Sequence, residues 1–175
     1  MKILTLTGVV LSTITLIGMS AVGVGAYNYE QEQIRLADVS RQRECLALNI
    51  YHEAKGESEL GQRAVAYVTL NRANDPAYPD DICDVVYQGA KKNGVPVRNK
   101  CQFSWYCDGK DDEPTDDRSY NEALYVASVV INTYGMSFDP TMGATMYHAD
   151  YVNPGWSDSF EKTTEIENHI FYRKE

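Results

Sequence analysis

Among the residues able to move a proton, Glu53 has the most suggestive surroundings. In LALNIYHEAKGES, residues 46–58, the apolar positions Leu46, Ala47, Ile50, Tyr51 and Ala54 recur at helical spacing and share one face. Glu53 projects at the border of that face, one turn after Asn49. Gly56 follows, suited to the left-handed conformation just past a helix end. A carboxylate at a helix C-terminus, half sunk against apolar side chains, loses hydration and faces the negative end of the helix dipole. Both effects favour the protonated form, the form a general acid needs. The same pattern also describes an ordinary surface glutamate on an amphipathic helix, and spacing alone does not separate the two.

Other chemistries find less support. His52-Glu53 begins like the zinc motif HExxH, in which two histidines four apart share a helical face, but the position four after His52 is Gly56. His148 and His169 could complete a three-histidine set; each is more ordinarily a hydrogen-bonded structural histidine, and no metal site and no cofactor are expected. There is no GxSxG nucleophile elbow. Asp108, Asp150 and Asp158 are possible second carboxylates, each in a turn-like, solvated context.

The elements that must position Glu53 are two helices joined by a glycine turn, Arg41–Lys55 and Leu60–Arg72. The second is apolar nearly all round at Ala64, Val65, Ala66, Tyr67 and Val68, as in a helix buried on most sides. NDPAYP (74–79) reads as a turn, Asp80–Gln88 as a short helix, Gly89–Lys100 as a loop and Asp108–Asp117 as a solvated acidic loop. Asp116 or Asp117 caps a helix reaching Tyr134, with Tyr120, Ala123, Leu124, Ala127, Val130, Ile131 and Tyr134 on one face and Gly135 at its end. Thr145–His148 and His169–Arg173 read as short strands. The fold class is therefore α+β.

The bulk composition narrows the partners. The chain has 175 residues, 43% of them hydrophobic, and a net charge of -9, which argues against a nucleic-acid partner. Thirteen tyrosines against four phenylalanines suit a surface that grips sugars or peptides, or fill the boundary of a core. Lys2 is the only charge before Glu30, and the apolar run that follows ends in Val24-Gly25-Ala26. Residues 1–26 thus read as a signal peptide or signal anchor, 27–40 as a polar linker and 41–175 as the folded domain. Any membrane contact is expected through that first segment alone. Four cysteines beyond it (Cys45, Cys83, Cys101, Cys107) suggest two disulfides in an exported protein, with three pairings open and Cys101–Cys107 able to close a local loop.

The segments IYHEAKGES, ELGQRAVAYVTLNR, YPDDICDVVYQG, CQFSWYCDGK, GATMYHADYVNPGW and ENHIFYR, in this order, resemble the SleB-type cell wall hydrolases over about Glu44–Arg173. That family includes spore cortex-lytic enzymes and similar phage and bacterial wall hydrolases. The resemblance implies a mainly helical, lysozyme-like domain with a small β-sheet that cleaves peptidoglycan glycan strands. It implies that Glu53, the first acid of the family's Y-x-E-A-[RK]-G-E motif, is the catalytic residue, while Glu57, the second, shapes the turn. It also makes Gln102, Phe103, Ser104, Tyr147, His148 and Trp156 groove residues. The additional wall-binding region of the spore cortex members has no counterpart in this sequence.

With one well-placed acid, the implied reaction is that of a lytic transglycosylase, in which the sugar's own C6 hydroxyl closes a 1,6-anhydro ring. A hydrolytic muramidase would need a second carboxylate. A zinc-dependent N-acetylmuramoyl-L-alanine amidase and a catalytically inactive wall-binding module are the alternatives from other classes. The expected partner is the peptidoglycan strand, the expected state a monomer, and the expected location the periplasm, cell envelope or extracellular space.

Overall fold

The computed structural model describes the backbone of residues 7–174 and the side chains of residues 24–174. The apolar segment 1–26 lies almost entirely outside the residues whose side chains are described; among the described residues no helix is long and apolar enough to cross a membrane. Two units are distinguished, residues 1–40 and residues 41–175.

Helix α1 spans Thr7–Ala54. Residues 27–40, expected as a polar linker, are instead helical. The stretch YNYEQEQIRLADVS contains neither Gly nor Pro and carries good helix formers in Glu30, Gln31, Glu32, Gln33, Arg35, Leu36 and Ala37, so nothing in it interrupts the helical ladder. The elements that follow are α2 (Glu59–Asn74), α3 (Ile82–Val86), strands β1 (Gly89–Lys92) and β2 (Val95–Cys101), a 3₁₀ turn (Ser104–Cys107) and α4 (Asp117–Thr133). Then come β3 (Met146–Ala149), a second 3₁₀ turn (Ser157–Ser159), β4 (Glu161–Ile166) and β5 (His169–Arg173).

Helix α2 is the centre of the 41–175 unit. One side, through Ala66, Tyr67 and Leu70, packs with Leu46, Ala47 and Ile50 of α1, Val85 and Val86 of α3, and Ala127 and Val130 of α4. Its other side, through Ala64 and Val68, packs against Ile166 and Phe171 of the sheet. This double burial is why its sequence is apolar nearly all round. Asp116 caps α4 by accepting from the amides of Arg118 and Ser119, and Asp81 caps α3 by accepting from Asp84.

The three-stranded sheet has the order β3-β5-β4, all antiparallel, with Tyr147 opposite Phe171 and Ala149 opposite His169. Strand β4, EKTTEI, carries little apolar signal because it is a polar, half-exposed edge. The segment expected as a loop, Gly89–Lys100, is the β1–β2 hairpin, turning at Asn93-Gly94 with φ of 53° and 80°. Positive φ at both central residues is what an Asn-Gly hairpin turn requires.

The cysteines pair Cys45–Cys83 and Cys101–Cys107, and no cysteine is free among the described residues. The first ties α1 to α3 across 38 residues and the second closes a loop of 6. Loop-closure entropy assigns them about 4 and about 2 kcal/mol respectively. Replacing Cys45 and Cys83 by Ala should therefore lower the urea midpoint more than replacing Cys101 and Cys107, and thiol titration of the denatured, unreduced protein should find no free thiol.

Candidate active site

Three elements meet around Glu53. The last turns of α1 are buried at Leu46, Ala47, Asn49 and Ile50, so the helix cannot rotate its Glu53 face away from the body of the fold. Asn49 is fixed by a buried chain: Trp105 Nε1 donates to its Oδ1 (3.0 Å), and its Nδ2 donates to Thr69 Oγ1 (3.2 Å). Trp105 in turn stacks on His52 at 4.5 Å, and His52 Nε2 lies 2.9 Å from the Asp112 carbonyl. His52 is thus occupied by packing and a backbone contact.

The sheet supplies the second wall. In the β3–β5 pairing Tyr147, His169 and Phe171 share one face, with ring centroids 5.1 Å (Tyr147–His169) and 5.7 Å (Tyr147–Phe171) apart. The Tyr147 hydroxyl donates to Glu53 Oε2 at 2.9 Å. The loop closed by Cys101–Cys107 supplies the third wall, bringing Gln102, Phe103 and Ser104 to the cleft. The buried Arg72 donates from Nε to the Thr145 carbonyl (2.7 Å) and lies over the Phe103 ring at 5.1 Å.

These walls enclose a cleft of about 380 Å³, lined by Glu53 together with Arg72, Gln102, Phe103, Ser104, Asp108, Tyr147, His148, Tyr151 and His169 among others. Of the residues expected to form a groove, Gln102, Phe103, Ser104, Tyr147 and His148 come together here. Trp156 does not line this cleft: its ring stands edge-on to His148 and Tyr172, which stack on each other on the opposite face of the sheet. His148 borders the cleft, yet its Nε2 lies 3.0 Å from the Tyr172 hydroxyl. Arg72, Trp105 and Tyr151 are cleft residues that the sequence reading did not single out. Tyr151 is 87% exposed and had a signal only in its place beside YHAD.

The electrostatics single out Glu53. Burial raises its pKa; the Tyr147 hydrogen bond and the through-space influence of His169, Arg72 and His52 oppose that rise without cancelling it. Asp108 behaves in the opposite way. Its carboxylate accepts from the Lys110 amide (2.8 Å) and pairs with Lys110 Nζ (3.0 Å), which hold it below the usual range. Asp150 and Asp158 do not line the cleft. Among the described residues no group of three His, Cys, Asp or Glu side chains is arranged to hold a metal ion.

Glu57 does more than shape the turn after α1. Its amide closes the turn on Ala54, while its carboxyl Oε1 lies 3.1 Å from Nδ1 of the buried His169. Burial and the nearby Glu167 raise its pKa to about 6 against a hydrogen bond from Asn168. Glu167, at φ 50° in the β4–β5 turn, accepts from the Ser58 amide and hydroxyl at the start of α2.

The profile of the family described as Cell Wall Hydrolase matches residues 56–172, more than half of the chain, so the chain belongs to the cell wall hydrolase family. The match begins after Glu53 and does not itself assign that residue. A spore cortex-lytic enzyme of Halalkalibacterium halodurans is 31% identical over 129 residues, 73% of this chain and 33% of the relative. One of Oceanobacillus iheyensis is 30% identical over 144 residues, 82% of this chain and 42% of the relative. The chain thus spans between a third and a half of the length of these relatives. The catalytic domain of the germination-specific lytic transglycosylase SleB from Bacillus anthracis is similar with a TM-score of 0.56 at 27% identity, over 75% of this chain and 93% of that domain. The catalytic domain of the Bacillus cereus SleB protein shares the fold, with a TM-score of 0.54 at 24% identity over 77% of this chain and 91% of that domain.

The raised Glu53 pKa has a consequence for stability. Below the unfolded value, about 4.3, the side chain is protonated in both states and costs nothing. As pH rises through the higher folded value the half-buried carboxyl must ionise, and folding loses stability relative to a neutral isostere. Glu53→Gln should therefore be more stable than wild type by a margin that grows between pH 4 and pH 8 in denaturant titrations. A margin independent of pH would show that Glu53 is not desolvated.

Proposed function

We propose that this domain cleaves the peptidoglycan glycan strand between N-acetylmuramic acid and N-acetylglucosamine as a lytic transglycosylase, with Glu53 as its catalytic residue. The observation that carries the reading is one half-buried carboxyl, its pKa raised by burial and hydrogen-bonded by Tyr147, in a cleft whose other carboxylate, Asp108, is engaged by Lys110 and held below the usual range. Glu53 protonates the glycosidic oxygen as the bond to C1 of the muramic acid breaks. The resulting carboxylate takes the proton from the C6 hydroxyl as that oxygen closes on C1, and Glu53 is protonated again. The Tyr147 hydroxyl steadies the carboxylate while it is charged. The acceptor belongs to the substrate, so it is delivered at high effective concentration and no activated water is needed.

Gln102, Ser104 and the exposed Tyr151 offer hydrogen bonds and an aromatic face to sugar rings. Those contacts must be short-range, because a chain of net charge -9 gains nothing from long-range attraction to an anionic wall. The two disulfides fit an exported protein acting in the periplasm, envelope or outside the cell, with residues 1–26 as the export segment.

Wall fragments released by the full, oxidised chain should carry 1,6-anhydro-N-acetylmuramic acid ends by mass spectrometry, with no new reducing ends. Reducing muramic acid ends would make water the acceptor and Asp108 the next residue to replace; free stem peptides would indicate an amidase. Glu53→Gln should lose about 10²-fold or more of the activity, the scale of a removed general acid. Activity within a few-fold of wild type would remove Glu53 from the reaction.

A further inference from the structure

Two carboxyls four residues apart leave the end of α1 toward the same sheet face, and each meets a ring on it. Glu53 meets the Tyr147 hydroxyl at 2.9 Å and Glu57 meets His169 Nδ1 at 3.1 Å. The two rings touch edge to face at 5.1 Å with an interplanar angle of 87°. His169 also packs against Phe171, and it lines the Glu53 cleft. The far end of this chain is seated on α2. Gly61 has no side chain where the Glu57 carboxyl lies; a Cβ there would collide with Glu57 Oε2 and stand 3.0 Å from Glu57 Cβ.

A tyrosine ring in a strand can swing about its first two torsions unless something blocks its edge. Phe171 covers Tyr147 from the opposite strand position, and His169 meets it from the diagonal one. His169 can serve as a fixed stop only if its own ring is held, and the Glu57 carboxyl packs 3.1 Å from its Nδ1, in contact but without a hydrogen bond. Other charged groups face the chain without gripping these rings. Arg72 and His52 act on Glu53, Asp150, Glu167 and His148 on His169, and Glu167 on Glu57.

We propose that Glu57 and His169 are positioning residues for the acid: Glu57, seated over Gly61, packs against the His169 ring and limits its movement, and His169 holds the Tyr147 hydroxyl on Glu53. The proposal rests on the reading of Glu53 as the acid, but its test is made on the protein alone. Tyr147 donates to the ionised form of Glu53, so any change that moves Tyr147 away must raise the pH at which Glu53 titrates. Removing a nearby negative charge must lower it. The two effects differ in sign.

Gly61→Ala separates them, because it pushes the Glu57 carboxyl away, and crowds that of Glu167, without removing any charge; moving these negative charges off could only lower the Glu53 midpoint, whereas loss of the Tyr147 contact raises it. Alanine also favours the helix interior, so the variant should fold. In the full oxidised chain, the Glu53 carboxyl is titrated by ¹³C NMR in wild type, Gly61→Ala, Tyr147→Phe and the double variant. Tyr147→Phe should raise the midpoint by about one pH unit, the scale of one lost hydrogen bond to a carboxylate. Gly61→Ala should give half of that rise or more, and the double variant should not exceed Tyr147→Phe alone. Turnover of a soluble glycan by Gly61→Ala should show kcat down about tenfold with KM within about twofold. Glu57→Gln keeps the shape that packs against His169 and should restore most of kcat relative to Glu57→Leu.

A midpoint unchanged or lowered in Gly61→Ala, or shifts that add in the double variant, would overturn the proposal. If Gly61→Ala fails to fold, Glu57→Leu replaces it with the same expected rise, and a fall would show a through-space charge effect instead. Absence of any wall product from wild type would sink the transglycosylase reading while leaving the midpoint shifts to decide this one.

Discussion

The end of α1 is buried on nearly every side, and most of what is distinctive in this domain follows from that. Leu46, Ala47 and Ile50 are locked into the helical core and Asn49 into the Trp105–Thr69 chain. The next turn has no freedom left, so Glu53 must point where the helix points it, between the sheet and the Cys101–Cys107 loop. A carboxyl placed there would be costly if fully ionised and unpaired. The structure answers with a neutral donor, Tyr147, rather than with a direct ion pair. The buried Arg72 turns its Nε to a backbone carbonyl and its plane to Phe103, and it influences Glu53 only through space.

That choice matters for acid chemistry. A guanidinium in direct contact would hold Glu53 ionised across the physiological range, as Lys110 holds Asp108. A phenol hydroxyl stabilises the carboxylate modestly and leaves burial as the dominant influence, so the group can both keep and release a proton. The arrangement depends on the antiparallel register of β3 and β5. A slip of one residue in β3 would put His148, which packs with Tyr172 and Trp156 on the other face, in the place of Tyr147.

Much of the fold was legible because local rules agreed with it. The α4 face, the Asp116 cap and Gly135 at φ 75° follow from helical spacing and end chemistry. The all-round apolar α2 announced its burial on two sides. Two elements were hidden for opposite reasons. The β1–β2 hairpin is lysine-rich and mostly exposed, so its only strong mark is Asn93-Gly94, while β4 is a polar edge whose pairing is made by backbone atoms that composition does not register. Residues 27–40 looked like a linker because they are polar, yet polarity sets only where a helix can be exposed and not whether it forms.

At the site, the sequence by itself determined the helix that carries Glu53, the acid's place at the edge of an apolar face, and the family to which those motifs belong. It also bounded the cysteine pairings without choosing among them. Tertiary structure alone decided that Tyr147 rather than a charged group meets Glu53, that Arg72 and Tyr151 enter the cleft, that Trp156 packs away from it, and that Glu57 turns inward to His169. The reason is one of range. Helical periodicity and end chemistry act between residues within a turn or two, whereas Glu53 and Tyr147 lie 94 positions apart and Glu57 and His169 still further. Their meeting is set by a sheet register and a helix packing that no local pattern records.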